Sequence, residues 1–203
     1  MSAEVVHVID DDADVRHSLA FLLTAAGFTV RVHESAVAFL AVLAEAKDGC
    51  VLTDIRMPQM NGLELQRRLG ELKAGLPVIV MTGHGDVPLA VETMKAGAVD
   101  FIEKPFDDEV LLSAVRAALA RRARESARDA RTLEIQGRIK RLSEREREVL
   151  DRLVAGKANK VIAFELGISP RTVEIYRANV MTKMQADSLS ELVRMALIED
   201  RPS

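Results

Sequence analysis

The chain has no tryptophan, one tyrosine and six phenylalanines, so aromatics are only 3% of its 203 residues. Its cores must be aliphatic, and the aromatic platforms on which single-stranded bases stack are scarce. The single cysteine, Cys50, excludes an internal disulfide framework and fits a reducing cytoplasm. It lies in an apolar run and reads as a small core residue rather than a reactive thiol. No apolar stretch approaches the roughly 18 residues that a membrane span needs, and the start of the chain lacks the basic-then-apolar pattern of a secretory signal. The expectation is a cytoplasmic protein with no membrane partner.

Hydrophobic residues make up 48%, enough for packed cores. The net charge of −3 is unevenly spread. Residues 1–119 hold 10 Lys+Arg against 18 Asp+Glu, and the remaining residues hold 18 against 13. An acidic first part and a basic second part predict two domains with different partners, only the second suited to a polyanion.

In the first part, apolar runs alternate with helical stripes five times. Val5-Val6-His7-Val8-Ile9 runs into Asp10-Asp11-Asp12, and Val51-Leu52-Thr53 runs into Asp54. Pro77-Val78-Ile79-Val80-Met81 ends at Thr82, and residues 99–102 end at Glu103-Lys104-Pro105. Residues 28–32 form the fifth strand. Between them, Leu19, Leu22 and Leu23, then Phe39 and Leu40, then Leu63, Leu65 and Leu69 recur at helical spacing. Strands apolar on both faces, separated by helices, predict a five-stranded parallel sheet in an α/β doubly wound, flavodoxin-like fold. Asp10, Asp11, Asp54, Thr82 and Lys104 all fall at strand C-terminal ends, the edge where such sheets bind ligands.

Carboxylates crowded on one edge resist ionising together. A hard divalent cation with oxygen ligands, best Mg²⁺, relieves them. Asp12 reads as a helix cap instead. Lys104 supplies a point charge for a phosphoryl oxygen, and Thr82 a hydroxyl. Together these are the parts for attack by the Asp54 carboxylate on phosphorus.

Paired Asp10-Asp11, then Asp54, Thr82 and Lys104-Pro105, resemble the receiver domain of two-component response regulators over about residues 3–120. The resemblance implies that Asp54 is the phospho-acceptor, served by a sensor histidine kinase. It implies that Asp11, Asp54 and the main-chain carbonyl of Arg56 bind Mg²⁺ with help from Asp10, and that Thr82 and Phe101 switch inward. Gly83 and Phe101 depart from the Ala and Tyr common in that family, and His84 reads as a loop residue that tunes phosphate lifetime.

Between Phe106 and Gln136 there is neither glycine nor proline. The last helix of the first domain is expected to run on as a solvated connector and to end near Gly137. Leu119, Ala123, Ala127 and Ala130 form a thin seam, compatible with a weak coiled coil or a lone spacer.

In the second part, Ser143 and Glu146 form a capping box, and Val149, Leu150 and Leu153 the buried stripe that follows. Residues 159–166 make a short helix with Val161, Ile162 and Leu166 inward. Gly167-Ile168 turns the chain, and Ser169-Pro170 starts a helix buried through Val173, Tyr176, Val180 and Met184. A last helix carries Leu189, Leu192, Val193, Ala196 and Leu197. A helix, a Gly turn and a helix with a polar outer face make a helix-turn-helix. The motifs Leu142-Ser143-Glu144-Arg145-Glu146, Ser169-Pro170-Arg171-Thr172-Val173-Glu174 and Asn179-Val180 resemble the LuxR-type DNA-binding domain over about residues 138–200. By that resemblance Glu174, Ile175 and Ala178 face base edges. Lys160, Arg171, Thr172, Arg177, Asn179 and Lys183 hold phosphates.

The expected organisation is a receiver over residues 1–120, a helical linker over 121–137 and an all-α four-helix DNA-binding domain over 138–203. The stretches around residues 82–88 and 99–106 are similar to the FixJ type, regulators of nitrogen-fixation genes. The function implied is a phosphorylation-activated transcriptional regulator, an activator. Its partners would be the kinase, promoter DNA, a second copy after phosphorylation and RNA polymerase. It would have no enzymatic role beyond the chemistry at Asp54. Two rival readings are a phosphohydrolase that uses Asp54 as a covalent relay, and a docking adaptor without DNA.

Overall fold

A computed structural model describes residues 4–46, 48–83 and 87–199. The chain divides into two compact units, Met1–Glu125 and Ser126–Ser203.

The first unit alternates β1 (Val5–Ile9), α1 (Ala13–Ala25), β2 (Thr29–His33), α2 (Ala36–Ala41), β3 (Cys50–Asp54), α3 (Gly62–Glu71), β4 (Val78–Thr82), α4 (Val87–Lys95) and β5 (Asp100–Glu103). It ends in α5 (Asp108–Ile139), whose later turns continue into the second unit. The five strands are parallel in the order β2-β1-β3-β4-β5. Both sheet faces are covered, which is why the strands read as unbroken apolar runs. Val8, Leu52, Ile79 and Met81 pack with Leu19 and Leu23 of α1 and Leu111 and Val115 of α5. Ile9, Val51, Val78 and Val80 pack with Phe39 of α2 and Leu65 and Leu69 of α3. Local signals set the helix starts: Asp12 caps α1, Ser35 caps α2, and Asn61 with Glu64 forms a capping box on α3.

The strand order reverses between β1 and β3. The ends of those two strands are therefore neighbours, which places Asp10 beside Asp54. Gly62 supports this corner. A side chain there would place its Cβ 2.4 Å from the main-chain oxygen of Asp54, so only glycine lets α3 start so close.

The second unit contains the end of α5, then α6 (Glu144–Val154), α7 (Asn159–Leu166), α8 (Pro170–Met184) and α9 (Leu189–Glu199). Its core joins Ile135 and Ile139 to Val149, Leu150, Leu153, Ile162, Val173, Val180, Met184, Leu192 and Met195.

The connector helix ends at Ile139, near Gly137 as expected, while several other expectations shift. Glycine costs about 1 kcal/mol inside a helix, and burial of Ile135 and Ile139 on either side outweighs it. Val161 is exposed, and Ala163 takes the inward position beside Ile162. Leu189 and Leu197 are exposed too, and Met195 lies inside with Leu192. The strand expected at residues 28–32 sits one residue later.

His7 and His33 were not singled out by the sequence. His7 Nδ1 lies 3.1 Å from His33 Nε2 and the two rings stack, while Phe39 meets His7 tilted and His33 edge-on. Burial, then the neighbouring His33, pushes the His7 pKa down to about 4. The unfolded chain then binds more protons between about pH 6.5 and 4, so this stabilisation is complete above that window and lost as pH falls through it. Urea denaturation of the first unit should show a loss of about 2 kcal/mol between pH 7 and 5. His7→Gln should flatten that dependence, and an unchanged pH profile in the variant would contradict the assignment.

Candidate functional site

The C-terminal edge of the sheet gathers Asp10 from the end of β1, Asp54 from β3, Thr82 from β4 and Lys104 from just after β5. Asp10 is 2% exposed and Thr82 fully buried. The Lys104 ammonium donates to Asp54 Oδ1 at 2.7 Å and to Asp10 Oδ2 at 3.1 Å. The other carboxylate oxygens take main-chain donors: Arg56 N–H to Asp54 Oδ2 at 2.7 Å and Asp12 N–H to Asp10 Oδ1 at 2.9 Å. The Lys104 N–H donates to the Thr82 carbonyl at 2.6 Å, so the ends of β4 and β5 are tied together. The Lys104-Pro105 peptide is cis.

Burial raises the Asp10 pKa, and the Asp12 N–H and Lys104 offset this only in part. For Lys104, burial alone would favour the neutral amine. The hydrogen bond and charge of Asp54, followed by those of Asp10, outweigh it and raise the pKa overall. The edge thus holds two carboxylates on one ammonium.

Asp11 is exposed, and among the described residues no group of three or more His, Cys, Asp or Glu is gathered for a metal. The donor chemistry still fits a hard cation. Asp10 and Asp54 offer carboxylate oxygens, and one cation, the Lys104 ammonium, already sits between them.

In the second unit, Gly167 closes α7 in the left-handed conformation, φ 64°. Ser169 then caps α8 by accepting from the Thr172 N–H, with Pro170 in the first turn. Val173, Val180 and Met184 are buried. Arg171, Glu174, Ala178 and Asn179 are exposed on α8, as is Ile175 at 55%.

Residues 6–116 match the family described as the response regulator receiver domain, and residues 140–196 match bacterial regulatory proteins of the luxR family. The chain is 60% identical over 193 residues to the transcriptional regulatory protein FixJ of Azorhizobium caulinodans, covering 95% of this chain and 92% of that one. The chain belongs to the FixJ family of response regulators. Full-length FixJ from B. japonicum is similar in structure, with a TM-score of 0.62, 51% identity and 98% of each chain covered. The response regulator StyR gives a TM-score of 0.83 at 40% identity, over 95% of this chain and 98% of that one. This FixJ-type chain is therefore a transcriptional regulator of a two-component system, a receiver joined to a LuxR-type DNA-binding domain, and neither rival reading is favoured. Among the described residues no helix is long and apolar enough to cross a membrane.

Asp10, Asp54 and Lys104 are brought into contact, with Thr82 at the same edge. Phe101 is half-buried against the Ile9 and Val51 core. His84 falls outside the described residues. Lys160 is exposed on α7, Arg177 and Thr172 are half-buried on α8, and Lys183 is tied to the buried Glu146 at 2.6 Å. That pair gives Lys183 a structural role which sequence spacing could not show. Arg16 was not anticipated: it donates to the Asp10 main-chain oxygen at 2.6 Å and braces the edge from α1.

Removing Lys104 should expose how much the edge depends on it. Lys104→Met leaves two carboxylates facing each other. Because the lysine is a quarter exposed, a loss of about 2 kcal/mol is expected at pH 7.5 in denaturation of the first unit. The deficit should narrow as pH falls, because burial raises the Asp10 pKa and protonation of Asp10 removes the repulsion. A variant as stable as wild type at pH 7.5 would show that the bridge carries no stability.

Proposed function

We propose that Asp54 is the phospho-acceptor of this regulator and that its phosphorylation promotes pairing of two chains on promoter DNA. The observation that carries the reading is the single ammonium of Lys104 shared by Asp10 and Asp54 at the sheet's switch point. A carboxylate oxygen of Asp54 attacks phosphorus, the P–N bond of a sensor kinase's phosphohistidine breaks, and the phosphoryl group passes to the aspartate. Lys104 keeps its charge throughout and exchanges a carboxylate partner for a phosphoryl oxygen. Asp11, Asp54 and the Arg56 carbonyl, with Asp10, would hold Mg²⁺, which would supply positive charge to the transferring oxygens. Thr82 and Phe101 then shift inward and reshape the face of α4 and β5, where two receivers pair.

Pairing raises the local concentration of two DNA-binding domains at a two-part site. Glu174, Ile175 and Ala178 read base edges, and Lys160, Arg171, Thr172, Arg177, Asn179 and Lys183 serve phosphates. The domains run over residues 1–120 and 138–203, joined by a helical linker at 121–137. The protein acts in the cytoplasm as an activator that engages RNA polymerase. Relatives named FixJ support promoters of nitrogen-fixation genes as its targets.

Acetyl phosphate with Mg²⁺ should shift wild type towards a dimer and tighten its hold on duplex enriched from a random-sequence pool. Asp54→Asn should abolish both responses and keep its basal, salt-sensitive DNA binding. Sedimentation and fluorescence anisotropy read the two effects. A donor response that survives in Asp54→Asn, or is missing from wild type, would overturn the proposal.

A further inference from the structure

The last turns of α5 are part of the second unit's core through Ile135 and Ile139. Arg138 lies between them and does not face solvent freely: its side chain is 16% exposed. Its guanidinium donates through NH1 to the main-chain oxygen of Met184 at 2.8 Å and through NH2 to Glu134 at 2.7 Å. Glu134, one turn earlier on the same helix, orients the fork. Met184 is the last residue of α8, where helix carbonyls have no amide of the next turn to accept from. A cation there also opposes the negative end of the helix dipole.

The same end of α8 is held a second way. Gln185 closes the helix in the left-handed conformation, φ 54°, which a residue with a Cβ adopts only when its surroundings hold it. Ala186 is buried and its N–H donates to the Met181 oxygen at 3.0 Å. Lys183, one residue before Met184, reaches the buried carboxylate of Glu146 in the α6 capping box. Arg138 and Glu146 therefore grip one helix end from two different helices.

We propose that Arg138 is a positioning residue for DNA reading: it fixes the pose of α8 from which Glu174, Ile175 and Ala178 meet base edges. The inference rests on α8 being the helix that reads DNA. Base-edge contacts tolerate displacements of only about 0.5 Å. Long lysine and arginine side chains follow phosphates through larger ones. A helix that is loosened at one end thus loses discrimination before it loses affinity. Arg138 is poorly placed as a phosphate ligand, because its side chain is only 16% exposed and two of its five N–H donors already serve Met184 and Glu134.

The test uses the full chain with acetyl phosphate and Mg²⁺. It compares affinity for a duplex enriched by wild type from a random-sequence pool with affinity for a scrambled duplex of equal composition. Arg138→Ala should lower the enriched-to-scrambled ratio about ten-fold, with scrambled-duplex affinity within about two-fold of wild type and helix content unchanged by circular dichroism. Arg138→Lys, which can reach the Met184 oxygen but cannot span both partners, should recover part of the ratio. An unchanged ratio in Arg138→Ala would overturn the proposal. So would an equal loss on both duplexes, or a lysine variant no better than alanine. A wild type that enriches no sequence would overturn the reading of α8 itself, and this inference with it.

Discussion

One ammonium between two carboxylates is the contact on which the sheet's functional edge depends. Asp10 and Asp54 end neighbouring strands because the winding order reverses there, so topology forces two acids together. Burial raises the Asp10 pKa, and the neighbouring Asp54 carboxylate adds to the shift. Lys104 arrives from the far edge of the sheet and satisfies both. A buried charge group of this kind is poor material for stability alone, since apolar residues of equal volume would serve as well. Its value lies in being re-pairable: the lysine can exchange a carboxylate for another oxygen anion without leaving its place.

The second unit solves a different problem with similar tools. A DNA-reading helix must expose polar and apolar groups on one face and still be held rigidly. Its buried face supplies area through Val173, Val180 and Met184. Area alone leaves a helix free to slide, because dispersion has little directionality. Direction comes from charge-assisted bonds at the ends. Ser169 caps the start, while Arg138 and the Glu146–Lys183 pair hold the finish. Glu146 serves twice, closing its own capping box and anchoring α8.

Much of this was legible from residue order. Five strands separated by helical stripes, four of them ending in Asp10, Asp54, Thr82 or Lys104, specify a doubly wound sheet and the edge where those residues gather without any long-range information. The caps at Ser35, Ser143 and Ser169 are local and were equally readable. The connector's end near Gly137 was legible, and the last two residues to Ile139 were added by the burial of Ile135 and Ile139, a tertiary fact. A tertiary fact also decides Val161, whose neighbour Ala163 faces inward. The Lys183–Glu146 pair was not legible, because spacing shows which face a residue is on but not that a buried glutamate lies beside it. The His7–His33 pair was invisible for a related reason: register between β1 and β2 brings the two rings within reach.

The charge arithmetic at the edge supports the proposal that phosphorylation of Asp54 is felt at β4 and β5. Phosphorylation replaces one negative charge with about two and adds three acceptor oxygens. At roughly 4 Å and a partly buried effective dielectric near 20, one added unit charge is worth about 4 kcal/mol. Few local rearrangements of a loop cost more than that. The lysine that feels this change has its own N–H bonded to the Thr82 carbonyl, and Val80 of the same strand is in register with Phe101. On the proposed phosphorylation of Asp54, a shift of Lys104 would act on the ends of β4 and β5, which that backbone hydrogen bond ties together.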